Sequence, residues 1–149
     1  MTEWPPHLTV ASIVEKEGRF LMVEEIANDR LVLNQPAGHL DPGERMVDAA
    51  IRETYEETGW HVRATHILGF SRYHSPFNNT IYYRTTFIAD PVEHDLNLKL
   101  DEGIVRALWL TFDEIAAQEA RLRSPLVLKN LRQFRAGVRF PLSLIDDYV

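Results

Sequence analysis

Three glutamates, Glu53, Glu56 and Glu57, are spaced so that one side of a helix would hold all of them. At about 100° per residue these positions are neighbours, and like charges placed in this way repel one another. Glu56 and Glu57 also fall in the last predicted turn, where the helix dipole disfavours each anion by roughly 0.3–1 kcal/mol. A solvated acidic face would tolerate this cost. Two unfavourable placements in one turn instead favour a site for Mg²⁺ or Mn²⁺, which carboxylate oxygens bind well.

The elements that must position these glutamates are a helix and the loop before it. The helix is predicted over residues 44–58, and Gly59 is suited to its left-handed cap. Its core-facing side is predicted to consist of Val47, Ala50, Ile51, Thr54 and Thr58. The loop covers residues 37–43, where Gly38 lets the backbone approach a ligand closely. We therefore expect the loop and the helix to form a single binding unit.

Read from Gly38, the segment is Gly, five residues, Glu44, seven residues, Arg52-Glu53, two residues, Glu56-Glu57, one residue, Gly59 and Trp60. This pattern resembles the Nudix box, the loop–helix–loop motif of the Nudix hydrolases, and matches all seven of its invariant positions. Two variable positions depart from the usual residues, Thr54 and Ala37. Outside the box, the chain resembles the bacterial NudJ-type Nudix phosphatases in five segments, residues 7–14, 23–25, 34–40, 122–127 and 139–142.

The resemblance implies the roles of the motif residues. It implies that the metal ligands are three carboxylates and one carbonyl, those of Glu53, Glu56, Glu57 and Gly38. It also implies that Arg52 orients the catalytic glutamates and that Glu44 supports the loop. A carboxylate must take the proton of the attacking water. Glu53 is our first candidate for this base, and the second is an acid of the Asp101-Glu102 pair, for which we choose Glu102; a solvated loop is the alternative for that pair.

Five residues outside the glutamate set are candidates for substrate binding, namely His39, Tyr73, His74, Phe77 and Arg123. The three in the predicted loop region at 73–77 could stack on a base or a pyrimidine ring, or could simply pack the loop. His39 could reach a phosphate oxygen or stabilise its own loop. Arg123 could bind phosphate near a helix N-terminus, or could be an ordinary surface arginine.

The resemblance implies a Mg²⁺-dependent phosphatase with Mn²⁺ as a possible substitute. Its substrates would be nucleoside tri- and diphosphates and thiamine-related pyrophosphates, with water attacking phosphorus and inorganic phosphate leaving. A pyrophosphatase for ADP-ribose or dinucleotides is one alternative. A nucleotide-binding regulator that keeps the fold without turnover is another, although the complete glutamate set argues against it.

The pattern of elements predicts an α/β (α+β) fold, a mixed sheet sandwiched between helices. Strands are predicted over residues 8–14, 19–25, 31–33, 62–73, 81–89 and 104–110, the first two joined as a hairpin at Glu17-Gly18. Besides the motif helix, helices are predicted over residues 111–121, where Thr111 and Glu114 are spaced as a capping box, and 126–136, ending at Gly137.

Composition limits the class of protein. The 149 residues carry a net charge of -6, are 45% hydrophobic and contain no cysteine. We expect one domain over residues 1–149, with no disulfide and no thiolate metal site. The acidic balance argues against nucleic-acid binding, and no apolar run is long enough to span a membrane. Without an evident signal peptide, we expect a cytoplasmic enzyme for a small phosphorylated substrate; the oligomeric state is left open.

Overall fold

The computed structural model describes residues 6–148. Its strands are β1 (His7–Lys16), β2 (Arg19–Ala27), β3 (Arg30–Asn34), β4 (Ala37–His39), β5 (Trp60–His74), β6 (Ile81–His94) and β7 (Ile104–Thr111). Its helices are α1 (Met46–Thr58), α2 (Phe112–Ala116) and α3 (Leu126–Arg135), with single 3₁₀ turns at Glu119–Arg121 and Leu142–Leu144. In the part of the chain so described, no helix is both long and apolar enough to cross a membrane.

The strands form a mixed sheet in the order β3-β2-β1-β6-β5, with β4 paired to β1 and β7 paired to β2. The β1–β6 pairing is parallel, and the others are antiparallel. The predicted hairpin at Glu17-Gly18 is confirmed. Both residues have positive φ, 52° and 78°, as a two-residue turn between right-twisted strands requires.

Helices pack on both faces of this sheet. Successive side chains of β1 point to opposite faces, so the strand contributes to two apolar layers. Val10 packs with Ala49 and Ala50 of α1. Ile13 belongs to the layer that holds Leu131 of α3. The predicted architecture of a mixed sheet sandwiched between helices is confirmed.

Two predicted helix bounds were wrong. Helix α1 begins at Met46 instead of residue 44, because Glu44 closes a turn by donating its backbone N–H to the Asp41 carbonyl. The capping box of Thr111 and Glu114 is present, but α2 ends at Ala116. The chain leaves the helix there, and Leu122 can then form a bridge with Leu33 of β3.

The sheet also differs from the prediction at β4, β5 and β6. The first three residues of the predicted loop 37–43 form β4, whose backbone pairs with Thr9–Ala11 of β1. Strands β5 and β6 are longer than predicted and remain paired from Trp60↔His94 to His74↔Ile81. Register shifts at three points in this pair accommodate the extra length. The added β4 pairing fixes the loop that carries Gly38.

The segment after α3 returns to the sheet. Phe140 forms two backbone hydrogen bonds with Ile67 of β5, each 2.8 Å long. Leu142 and Ile145 then pack beside the layer under α1. The C-terminal residues therefore help to cover the face on which the motif helix lies.

Candidate active site

Three carboxylates meet at the C-terminal half of α1. Glu53, Glu56 and Asp101 each present a ligand atom within 4.8 Å of the others. Asp101 comes from the loop before β7, and its backbone N–H donates to the Glu56 carbonyl at 3.1 Å. Glu102, the acid chosen from this loop by sequence, is exposed and does not belong to the group. Carboxylates this close repel one another and a divalent cation would offset that repulsion, so the donor set fits a divalent metal.

The backbone of β4 lies directly over Glu53. A methyl group built at Gly38 would lie 2.2 Å from Glu53 Cδ and 2.4 Å from each carboxylate oxygen. Only glycine leaves room for this carboxylate beside the loop. The pKa of Glu53 is raised, first by burial and then, against the lowering effect of Arg52, by the charges of Glu56 and Asp101.

Arg52 holds the acidic side chains in a fixed arrangement. Its Nε and Nη2 donate to the two oxygens of Glu44 at 2.7 and 2.9 Å. Its Nη1 donates to Glu53 at 2.9 Å and to Glu56 at 3.1 Å. A further bond reaches the His39 carbonyl at 3.0 Å. The planar guanidinium thus joins the loop, the motif helix and two of the clustered acids through separate donors.

Glu57 stands apart from the other two glutamates of the motif. It is 7% exposed, and its Oε1 accepts the backbone N–H of Ala37 at 2.9 Å. Burial raises its pKa to about 9, an effect that the Ala37 bond partly opposes and the charges of Glu25 and Glu53 strengthen. Glu57 therefore contacts the backbone of the loop at Ala37, whereas Glu53 and Glu56 lie with Asp101.

A cavity of about 400 Å³ opens beside these acids. Both Glu53 and Glu57 line it, and so do four of the five residues predicted to bind substrate, namely His39, Tyr73, Phe77 and Arg123. His74 does not line it, and its Nε2 instead lies 2.6 Å from Asn79 Oδ1 in the neighbouring turn. The structure thus brings most of the predicted residues to one space.

The predicted substrate residues differ in their surroundings. Arg123 pairs with the buried Glu25 at 2.6 Å, which orients its guanidinium along the wall. The His39 ring contacts those of His7 and Tyr82 edge-on. Burial and the neighbouring charges of His7 and Arg123 lower the pKa of His39. At neutral pH the ring is therefore a neutral hydrogen-bonding group.

Sequence reasoning missed several lining residues, among them Thr9, Glu25, Asn34, Tyr82 and Arg84. Arg84 and Glu25 carried a usable signal, since each is a charged residue within a predicted strand of mostly uncharged ones. The strand pattern indicates burial of such a residue, but it does not say which other strands share the space.

Comparison with known proteins agrees with this geometry. A model of the NUDIX domain matches residues 5–131. Phosphatase NudJ of Escherichia coli (strain K12) is 38% identical over 143 residues, covering 96% of this chain and 92% of that protein, and the Shigella flexneri Phosphatase NudJ gives the same values. The solved structure of a NUDIX hydrolase from Nitrosomonas europaea matches with a TM-score of 0.94 at 42% identity, covering 97% of this chain and 98% of that one.

This chain belongs to the Nudix family, and it is a hydrolase of phosphoanhydride bonds. The predicted family, its NudJ-type resemblance and its fold are confirmed. The family acts on small phosphorylated substrates with the help of divalent metals, which agrees with a carboxylate cluster at the edge of a cavity.

Proposed function

We propose that this protein is a Mg²⁺-dependent phosphatase of nucleoside tri- and diphosphates and of thiamine-related pyrophosphates. The observation that carries the proposal is the carboxylate cluster at the edge of a cavity of about 400 Å³, a volume suited to one small ligand. Similarity to Phosphatase NudJ over 96% of the chain supports release of inorganic phosphate. We further propose a single domain over residues 1–149 and a cytoplasmic enzyme that binds neither nucleic acid nor membrane.

The residues that would hold Mg²⁺, or Mn²⁺ in its place, are Glu53, Glu56, Glu57 and the carbonyl of Gly38, with Asp101 added to this set. Such a cation neutralises phosphate charge and lowers the pKa of a bound water. Arg52 keeps Glu53 and Glu56 in position through its separate donors. The buried Glu57 is anchored by the Ala37 N–H, so its free oxygen has a defined direction.

Glu53 is the general base of the proposed reaction. Burial raises its pKa, which makes its carboxylate a better proton acceptor than an exposed glutamate. Water attacks the terminal phosphorus and Glu53 takes the proton of that water. The bridging P–O bond breaks, so inorganic phosphate and the shortened organic phosphate are released. We reassign the second acid from Glu102 to Asp101, because only Asp101 lies within reach of Glu53 and Glu56.

The organic part of the substrate lies in the cavity. Tyr73 and Phe77 offer aromatic faces, and His39 offers a neutral donor or acceptor next to Gly38. Arg123 lines the cavity, and although it is paired with Glu25 its side chain is 45% exposed and so accessible to a ligand. We assign no contact to His74, which bonds to Asn79 outside the cavity.

A colorimetric phosphate assay tests the proposal directly. Nucleotides and thiamine-type pyrophosphates are incubated with Mg²⁺, with Mn²⁺ or with chelator, and Glu56→Gln serves as the inactive control. We expect phosphate from at least one nucleotide or thiamine-type compound, and none with chelator. Products from ADP-ribose or dinucleotides that yield phosphate only after an added phosphatase would identify a pyrophosphatase instead. Tight nucleotide binding without any product at saturating metal would identify a regulator.

A further inference from the structure

Arg84 is a buried cation in the wall of the cavity. It lies on β6 and is 7% exposed. Its Nη2 donates to Gln35 Oε1 at 2.8 Å, and its Nε has no hydrogen-bond partner. The Gln35 Nε2 donates to the Val127 carbonyl at 3.3 Å, which turns the amide oxygen of Gln35 toward Arg84. A neutral side chain thus orients this guanidinium, and no carboxylate within residues 6–148 forms an ion pair with it.

The two acids that most affect Arg84 are engaged elsewhere. Glu25 pairs with Arg123 at 2.6 Å, and Glu57 accepts the Ala37 N–H. Burial, reinforced by the charge of Arg123, lowers the pKa of Arg84 to about 10, so it remains charged at neutral pH. A buried charge without an ion-pair partner is costly, and local conflicts of this kind are expected at functional sites.

A second polar atom on the same wall also lacks a partner. Asn34 is 5% exposed, lines the cavity, and its Oδ1 makes no hydrogen bond. Its Nδ2 is directed to Glu25 Oε1 at 3.5 Å. Buried polar atoms are nearly always paired in folded proteins. Among the described residues three buried side-chain atoms lack a partner, and two of them belong to Arg84 and Asn34, which line this cavity.

We propose that Arg84 binds the diphosphate group of the substrate, a role that rests on the proposed phosphatase function. Glu53 and Glu57 line the same cavity, so one diphosphate can lie with one phosphate at the carboxylate cluster and the other at Arg84. A guanidinium donates to two phosphate oxygens at once, and such charge-assisted bonds are strong in a buried site. Arg84 is therefore a substrate-binding residue that the motif does not contain.

Calorimetric titration with methylenediphosphonate, a diphosphate that cannot be hydrolysed at its bridge, tests this assignment in the presence of Mg²⁺. The variants are Arg84→Gln and Arg84→Lys, and the matched control is Arg63→Gln, an exposed arginine of the neighbouring strand that pairs with Asp90 outside the cavity. We expect Arg84→Gln to weaken binding by about tenfold or more, and Arg84→Lys to weaken it by a smaller factor. The control should bind as the wild type does.

Urea unfolding of the same proteins separates ligand binding from a structural role. A binding arginine without a counter-ion predicts that Arg84→Gln unfolds at the same or a higher urea concentration than the wild type. A lower midpoint with unchanged diphosphate affinity would overturn the proposal. If Arg84→Gln does not fold, Arg84→Lys carries the test, and unchanged affinity in that variant refutes the role. Wild-type protein that hydrolyses its substrates but does not bind methylenediphosphonate also refutes it and leaves the proposed function standing.

Discussion

Ionisation of the Glu57 carboxyl opposes folding until a cation binds. In the unfolded chain its carboxyl titrates near 4.5, and in the metal-free fold burial raises its pKa to about 9. Between these values the unfolded state releases a proton that the folded state keeps, so unfolding is favoured as the pH rises. The stability that Glu57 contributes is complete below pH 4.5 and is lost as the pH rises through 9.

Glu57→Gln should remove this dependence, because an amide is close in shape to the protonated carboxyl and its oxygen can still accept the Ala37 N–H. Relative to the variant, the wild type in chelator should lose on the order of 2–4 kcal/mol of unfolding free energy between pH 5 and 8. Urea unfolding at several pH values measures this difference. Parallel curves for the two proteins would contradict it. With Mg²⁺ the variant should hydrolyse substrate about 100-fold more slowly.

Arg52 acts through the fixed directions of the donors on its planar guanidinium. Arg52→Lys keeps the charge but replaces donors to Glu44, Glu53 and Glu56 with one ammonium group. We expect kcat to fall by about 10- to 100-fold with a small change in KM, since the acids lose their common support. Steady-state kinetics measure this split. Arg45→Lys is the control, because Arg45 is exposed and pairs with Asp147. An equal loss of kcat in both variants would show that the guanidinium geometry of Arg52 has no special role.

At the scale of elements, the close approach of β4 to α1 decides where Glu53 lies. Gly38→Ala would place a methyl group 2.2 Å from Glu53 Cδ, and this flexible side chain would move away from its neighbours. Activity should fall by about 100-fold, because small displacements of a reacting group are costly. Stability should change by less than about 1 kcal/mol. Initial rates and urea unfolding test both expectations, with Gly69→Ala as the control, since an added methyl group there meets no atom within 4 Å.

The end of α1 depends on Gly59. This residue has a φ of 77°, and a methyl group there would lie 2.7 Å from the Asp95 carbonyl oxygen. Gly59→Ala should cost about 2–3 kcal/mol of unfolding free energy, from backbone strain together with the clash. Gly137→Ala isolates the strain, since its φ is 86° and its surroundings are open, and it should cost about 1–2 kcal/mol. Equal losses in urea unfolding would mean that the Asp95 contact is relieved at no cost.

Helix α1 also shows what could be predicted from sequence at this scale. The 3.6-residue period placed Thr54 toward the core, where its hydroxyl bonds to Ser12 and to the Ala50 carbonyl, and Gly59 closed the helix as expected. Periodicity could not predict that Glu57 contacts the loop while Glu53 and Glu56 lie with Asp101. That difference depends on the backbone N–H of Ala37 in β4, which donates to Glu57. Nor could periodicity choose Asp101 over the next residue, since a bond to the Glu56 carbonyl fixes that loop.

At the scale of the whole molecule, the C-terminal segment covers the sheet beside α1. A chain that ends at Val138 would lose the Phe140–Ile67 pairing and the packing of Leu142 and Ile145. Its unfolding free energy should fall on the order of 2–4 kcal/mol, as expected for exposing two aliphatic side chains and part of the layer below them. Thermal unfolding compares it with a chain that ends at Ile145. Of the described residues, that control removes only exposed ones, so a comparable fall would contradict the covering role.

The global topology was beyond what local patterns could provide. Alternation and turn residues located the strands and predicted a sandwiched sheet. The parallel pairing of β1 with β6, with Val10 opposite Thr85, joins residues far apart in the chain and depends on how both apolar layers close. Arg84 reaches the cavity only because of that pairing, which explains why the residue was not predicted as part of the site.

The aromatic residues packed around Trp60, directly after α1 and its cap, have an optical consequence. The Trp60 ring lies 4.5 Å from that of His94 in a parallel stack and 5.4 Å from that of Trp109 at an interplanar angle of 87°. Two indoles at this separation share their electronic excitation, so their circular dichroism differs from the sum of two isolated chromophores. The packing of Trp60 of β5 against Trp109 of β7 therefore carries an intrinsic spectral signature, which can be followed in the unlabelled protein as it folds.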